Sequence, residues 1–291
     1  MLVKDGLVYI SSFSSGAILE DEFKARNTRK QSVAAIDAVK SFISADEAYL
    51  AISPDDYSTT EAALGINTPY AFVEERGDET YVEPVIDDDM LRHLANSEGL
   101  LVVEDEIWLI QRNYILMAPY EEYSTGLAFP HESDNIRKEV IKREKVELPN
   151  EIEKANIGRC RDEYGTRRRV TGEIEVRNSI FNGATRRVIV RTKHFLRPAF
   201  PRVWFGTEAD RLGHRGSIAR LGLNAGFSTI GSINGDIGGE EFDFFLQNFP
   251  SELATSDGPI EIEPFFGGFN HRADDDDDVG NNCLSVPTRS S

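Results

Sequence analysis

Long apolar runs are missing from this chain of 291 residues. None approaches the roughly 18 residues that a bilayer-spanning helix needs, so no membrane span is expected. Cysteine is scarce, with Cys160 and Cys283 the two present. That number allows one disulfide in an exported protein or two unrelated thiols in a reducing compartment, and the spacing leaves both open. Histidine is scarce as well. His93, His131, His194, His214 and His271 form neither H-E-x-x-H nor a cysteine–histidine zinc spacing. No Gly-Lys-Ser/Thr follows a glycine at Walker spacing, and no G-x-G-x-x-G follows a strand. Gly226 to Gly231 reads G-x-S-x-x-G, one residue too long for a nucleophile elbow, so Ser228 is set aside. These absences argue against the motif-bearing NTPase, dinucleotide and zinc-hydrolase classes, and no cofactor is expected. A hydrolase whose histidine and carboxylates converge from distant positions stays open as a third reading, because such groups meet in space rather than in sequence. Met1 to Gly6 has no basic stretch followed by an apolar one, so no signal peptide is expected in this numbering. That start fits a cytoplasmic chain, or a mature one whose targeting segment has been removed.

Basic residues are outnumbered, 32 against 50 acidic, for a net charge of −18. The imbalance is uneven. Residues 1–156 carry 15 basic and 31 acidic side chains, 157–220 carry 15 and 6, and 221–291 carry 2 and 13. A basic middle between acidic flanks suits docking against the acidic parts, or against an acidic neighbour in an assembly. It also suits an anion-binding face for an acidic glycan or lipid. The overall acidity weighs against nucleic acid, since it repels a polyanion at long range.

The clearest local order lies between Asp87 and Met117. Asp87, Asp88 and Asp89 open a short helix, where negative charge meets the positive end of the helix dipole. Leu100–Val103, Ile107–Ile110 and Tyr114–Met117 then read as a three-strand meander with turns at Glu104-Asp105 and Arg112-Asn113. Upstream, Leu2 to Ile10 reads as a strand pair or one strand around Asp5-Gly6, Ser11 to Gly16 as loop, and Ile18 to Ser44 as helix with a break at Asn27-Thr28. Tyr70–Val73 and Thr80–Val82 bracket Gly77-Asp78 as a hairpin. Downstream, Pro119 to Pro130 reads as loop and the charged stretch 133–154 as an exposed helix or connector. In the second half Val170–Val176 and Arg187–Lys193 read as antiparallel strands around Asn182-Gly183, the strongest hairpin signal in the chain. Val203–Gly206, Ile218–Leu223, Phe227–Ile230 and Phe242–Leu246 are further short strands, separated by glycine turns between Gly213 and Gly239, and Ile260–Ile262 and Pro264–Phe269 finish the fold. The fold class expected is α+β: an N-terminal helix plus β-meander domain over 1–155, an antiparallel β-sandwich-like domain over 156–270, and an acidic C-terminal tail over 271–291.

Two clusters are candidate sites. Arg177, Arg187, Arg191 and Lys193 sit on the strands of the basic middle, with Phe181, Phe195 and Trp204 nearby, and could bind an anion or a partner. The plainer reading is one sheet's core with a solvated reverse side. Asp274, Asp276 and Asp278 place oxygen ligands at alternate positions, as Ca²⁺ prefers. With those at positions one, three and five, Gly280 falls at seven rather than six and no Glu closes the loop, so a solvated acidic stretch is the plainer reading.

Several segments resemble uncharacterised exported or outer-surface proteins of Bacteroidetes-type bacteria. The opening Val3-Lys4-Asp5-Gly6-Leu7-Val8-Tyr9 is similar to their V-K-D-G-x-L-x-F strand, and the run from Leu94 through Asn96, Gly99 and Asp105 to Ile107-Trp108 is similar to L-N-x-D-G-x-I-x-V-G-D-x-I-Y. Gly172-Glu173-Ile174 with Asn178 and Phe181 resembles a G-x-I-x-x-N-x-x-x-Y/F element. The resemblance covers residues 1–215 and implies an extracytoplasmic protein without enzymatic activity. The expectation is a structural or interaction protein of the cell envelope or an extracellular assembly. It would bind a protein partner or itself through complementary acidic and basic faces. A binding module for an acidic glycan or lipid is the alternative.

Overall fold

In the computed structural model the described residues are 2–24, 29–57, 59–112, 114–126, 128–131, 134–140, 143–144, 159–165, 167–182, 185–199, 202–222, 226–239, 241–250, 265–275, 278–279 and 283–285. The architecture is mixed α+β and strand-rich. The chain divides into two units. One comprises Met1–Lys142, Ile180–Asn182 and Ala199–Phe205; the other comprises Arg143–Ser179, Gly183–Pro198 and Gly206–Ser291. The division falls earlier than the expected boundary at 155, and two short segments of the second half return to the first unit.

The first unit opens with β1 (Leu2–Lys4) and β2 (Leu7–Ile10), an antiparallel pair turned by Asp5 and Gly6, both at positive φ. Helix α1 (Phe13–Lys24) begins inside the stretch expected as loop. The Ser12 hydroxyl accepts the Ser15 N–H at 3.1 Å, satisfying a donor that helix starts leave unpaired. Helix α2 (Arg29–Val39) follows; the break expected at Asn27-Thr28 lies outside the described residues. Helix α3 (Ala45–Leu50) carries a capping box. Ser44 accepts from the Glu47 N–H, and the Glu47 carboxylate accepts from the Ser44 N–H. A further short helix, α4 (Thr60–Leu64), leads to the expected hairpin, β3 (Ala71–Arg76) and β4 (Glu79–Pro84).

The Asp87–Met117 stretch folds as its pattern indicates. Asp88 caps α5 (Asp89–Leu94) by accepting the Leu91 N–H at 2.9 Å. Strands β5 (Leu100–Val103), β6 (Glu106–Ile110) and β7 (Tyr114–Pro119) then run as an antiparallel meander. Pro119 to Pro130 is not all loop, because α6 (Tyr120–Gly126) forms there, with Glu121 and Glu122 at its positive end. In the next stretch, expected as an exposed helix or connector, β8 (Arg137–Val140) forms and pairs with the open edge of β7, while residues 145–154 lie outside the described residues. The resulting sheet runs β1-β2-β5-β6-β7-β8, with β2 and β5 parallel. Val8, Ile10, Leu101, Val103, Trp108 and Ile110 pack one face against α1, α2 and α5, while Leu7, Leu100, Val102, Ile107 and Leu109 join Tyr123 of α6 on the other. Coverage on both faces is why β5 reads as an unbroken apolar run.

Every regular element among the described residues of the second unit is a strand. That unit contains β9 (Arg143–Glu144), β10 (Arg159–Tyr164), β11 (Arg168–Asn178) and β12 (Thr185–Leu196). The expected hairpin joins β11 to β12, but Asn178 faces Arg186, so the connection is wider than a two-residue turn at Asn182-Gly183. Next in the chain, β13 (Trp204–Gly206) lies parallel to β4, with Trp204 opposite Tyr81 and Phe205 opposite Val82. Then come β14 (Ala209–Gly222), β15 (Gly226–Gly239), β16 (Glu241–Pro250), β17 (Phe265–Asp275), β18 (Asp278–Val279) and β19 (Cys283–Ser285).

Two expectations fail in this unit. The glycines from 213 to 239 are not turns. They lie within β14 and β15, and none in the described strands has the positive φ a glycine turn would use. Within the stretch expected as an acidic tail over 271–291, the described residues are strand: β17 continues to Asp275, and β18 and β19 both pair with it. One layer of the unit consists of β11 flanked by β9, β10 and β12, with β16 on the far side of β12. The other runs β15-β14-β17-β18, with β19 also on β17. The strand expected at Ile260–Ile262 lies outside the described residues.

Gly16 shows how closely the first unit is packed. A Cβ there would lie 2.4 Å from the Phe181 ring, which stacks on Trp108 with centroids 5.8 Å apart. Gly16→Ala is expected to lose about 1–3 kcal/mol in urea unfolding. Gly126→Ala, where a Cβ meets nothing within 4 Å, is expected to change stability by well under half of that.

Candidate functional site

Two register rows define the centre of the second unit. On β10, β11 and β12 the partners in line are Cys160, Gly172 and Thr192. On β19, β17 and β14 they are Cys283, His271 and His214. The rows face each other and are joined at every position. Cys160 and Cys283 form a disulfide with Cα atoms 5.6 Å apart. The His271 ring fills the place where a side chain on residue 172 would stand, its Cδ2 2.1 Å from an ideal Cβ, so this position admits only glycine. The Thr192 hydroxyl lies 2.8 Å from His271 Nδ1, 3.1 Å from His214 Nδ1 and 3.3 Å from the Gly213 carbonyl oxygen.

One proton arrangement satisfies all three contacts. A carbonyl only accepts, so the hydroxyl donates to Gly213, and its two lone pairs accept Nδ1–H from each imidazole. Nδ1 of each ring is then the donating nitrogen. Both rings are buried, and burial, followed by the nearby His214, pushes His271 well below the ordinary histidine range. A third buried histidine, His194, is fixed in the same way. Its Nδ1 lies 3.1 Å from the Thr207 carbonyl and must donate, which leaves Nε2 to accept the Tyr164 hydroxyl at 2.7 Å.

The first unit holds a buried ionic cluster. Asp46, at the start of α3, takes the Arg92 Nε–H at 2.6 Å and lies 3.3 Å from His93 Nδ1. Arg92 also sits over the Tyr49 ring, 5.7 Å from its centroid. Burial alone would raise the Asp46 carboxyl. The Arg92 guanidinium, and after it His93, outweigh that effect and hold it below the usual carboxylate range. The contribution of this group is present above pH about 4 and is lost as pH falls through the lowered value. Asp46, Arg92, Thr192, His214 and His271 are all buried, and His93 is half-buried.

The residues singled out in the sequence are dispersed. Arg177 and Arg187 are direct register partners on β11 and β12. Arg191, expected on a solvated face, is only 1 % exposed. Glu173 of β11 and Asp243 of β16 are its register partners on the two neighbouring strands. Charge reversal at Arg191 would therefore report on folding rather than docking. Lys193 is half-buried. The aromatics do not form one platform with these residues. Phe181 and Trp204 are counted with the first unit, where they stack on Trp108 and Tyr81, and Phe195 is buried.

Asp274 is bound by Arg272, whose Nη2 lies 2.6 Å from Oδ2, and Asp278 belongs to β18; Asp276 lies outside the described residues. No group of three metal-ligating side chains occurs among the described residues, and none of their helices is long and apolar enough to cross a membrane. Sequence reasoning missed the three buried histidines. The available signal was alternation, since Phe269, His271 and Ala273 share one face of β17.

No protein-family model matches the chain, and no curated protein matches it. Among solved structures, the crystal structure of a DUF4848 family protein from Bacteroides thetaiotaomicron VPI-5482 aligns over 98% of this chain and 98% of its own. Its identity is 10% and its TM-score 0.25.

Two substitutions test the clusters. Asp46→Asn removes one carboxylate charge from the buried Arg92 and is expected to cost about 1–3 kcal/mol in denaturant unfolding. Thr192→Val keeps the shape but removes the shared hydroxyl, at an expected cost of about 1–3 kcal/mol.

Proposed function

We propose that this chain is a structural or interaction protein of the cell envelope or of an extracellular assembly, and that it is not an enzyme. The observation that carries this reading is the buried Cys160–Cys283 bridge. Disulfides form and persist in oxidising compartments, and this one ties the last described strand, β19, to the first long strand of its unit, β10. The buried histidines and ion pairs are spent on holding strands and helices together, which suits a scaffold. Docking follows from the charge distribution. Residues 157–220 are basic while 1–156 and 221–291 are acidic, and Arg161, Arg211 and Arg215 stand exposed on the basic part. Complementary patches of this kind steer association and weaken as salt rises.

The test is native mass spectrometry of protein taken from its own cells, with fractionation of the cell compartments. The expected result is an extracytoplasmic protein in a homomeric or heteromeric complex. Its chain mass should lie about 2 Da below that of the fully reduced form, for the two hydrogens lost in one bridge, and the complex should fall apart at high salt. A cytoplasmic monomer with two free thiols would overturn the reading.

A further inference from the structure

One face of the first unit's sheet gathers phenols and carboxylates whose hydrogen-bonding capacity is not used up among the described residues. Strands β2 and β5 run parallel there, with Tyr9 beside Val102. Carried back along both strands, that register sets Asp5 level with Glu98, each exposed in the turn before its strand. Tyr123 of α6 shares an apolar cluster with Leu7 and Leu100, the first residues of those strands. It is 5 % exposed, and its hydroxyl makes no hydrogen bond among the described residues. Burial raises its phenol above the ordinary tyrosine value, and the nearby Glu98, Tyr120 and Asp5 raise it further. The half-buried Tyr120 has its ring 5.8 Å from that of Tyr123 and 5.4 Å from that of Tyr9, edge to face. The Tyr9 hydroxyl donates to that of Tyr120, whose own proton is left for another acceptor. Lys4 lies 3.7 Å from Asp5, while Glu98 makes no ion pair among the described residues.

Carboxylates beside phenol rings are the chemistry of a cation site. The faces of aromatic rings attract a guanidinium, and carboxylates take its N–H groups. A phenol oxygen accepts from an N–H while its own proton goes to a carboxylate. A planar guanidinium stacks and donates at once, so it suits this set better than an ammonium. The chain carries such cations itself. Arg167, on the β10–β11 turn, and Arg211, on β14, are exposed in the basic stretch 157–220 and make no ion pair among the described residues. We infer that the patch of Tyr9, Tyr120, Tyr123, Asp5 and Glu98 receives an arginine, Arg167 or Arg211, from a second copy of this chain. The inference rests on the docking role proposed above and names its partner and its contact.

The test is analytical ultracentrifugation of the oxidised full chain over a range of concentrations. The unsubstituted chain should self-associate. Asp5→Asn with Glu98→Gln should raise the dissociation constant about tenfold, and Tyr123→Phe, which removes the hydroxyl alone, about fivefold. Arg167→Glu with Arg211→Glu should weaken association at least as much as the acid-side pair. Glu121→Gln, an exposed acid of α6 outside the patch, should change nothing. Mixing the acid-side and arginine-side variants should recover association that neither shows alone, because each keeps the half the other lacks, and a misfolded variant could not do this. A chain that stays monomeric at every concentration, a self-association indifferent to these substitutions, or a mixture that recovers nothing would overturn the inference. A complex formed with a different protein and without self-association would also overturn it, and would keep the docking role. Failure of that role is read separately, from the compartment and the thiols.

Discussion

The second unit depends on how one row of side chains meets another across the gap between its layers. Each contact in the row is of a different physical kind. The disulfide removes freedom from the unfolded chain. With a sequence separation of 123, the loop-entropy relation gives at most about 5 kcal/mol. The ring of His271 over Gly172 is a contact of shape, and the Thr192 hydroxyl is a contact of hydrogen bonding, worth about 1 kcal/mol net but more if one partner is removed. Loss of the bridge would leave the closed layers in place and make the open chain more disordered. Loss of the hydroxyl or the glycine would leave the open chain unchanged and damage the closed form.

The first unit solves a different problem. Its meander is apolar on both faces, so helices must cover it, and they bring charge inward with them. Asp46 and Arg92 come from α3 and α5, and their pairing fixes how those two helices meet. The capping box at Ser44 and Glu47 adds a local reason for α3 to begin where it does, beside the buried aspartate.

What could be read from the sequence was the local order. The Asp87–Met117 stretch was legible because capping, turn chemistry and apolar pattern agree there. The β11–β12 hairpin was legible because Val170, Ile174 and Val176 alternate with polar residues. In the C-terminal third, glycine and aspartate depart from their usual structural meaning. In β14 and β15 the glycines are extended and held by long antiparallel pairing, a tertiary effect that overrides turn preference. The acidic run from Asp274 hid a strand, and with it hid His271 as a core residue. Arg191 was misplaced for a related reason: alternation marks the face of a strand but not what lies over that face. The proximity of Cys160 to Cys283 depends on registers in three strands, and no local pattern reports it.

The first unit has an order of assembly built into its connectivity. Phe181 belongs to the cluster around Trp108, while Val203 and Phe205 complete the one around Tyr49, Ala63 and Val82. A chain emerging from the ribosome therefore cannot finish the first unit when residue 142 appears. It must wait until about residue 205, by which time β10, β11 and β12 have already been made. The second unit waits longer still, until β17 and β19 arrive and Cys283 can find Cys160. Neither unit can be excised as a continuous fragment, and a cut at the apparent boundary would leave a gap in the aromatic stack of the first unit and carry its Phe181 and Phe205 away with the second.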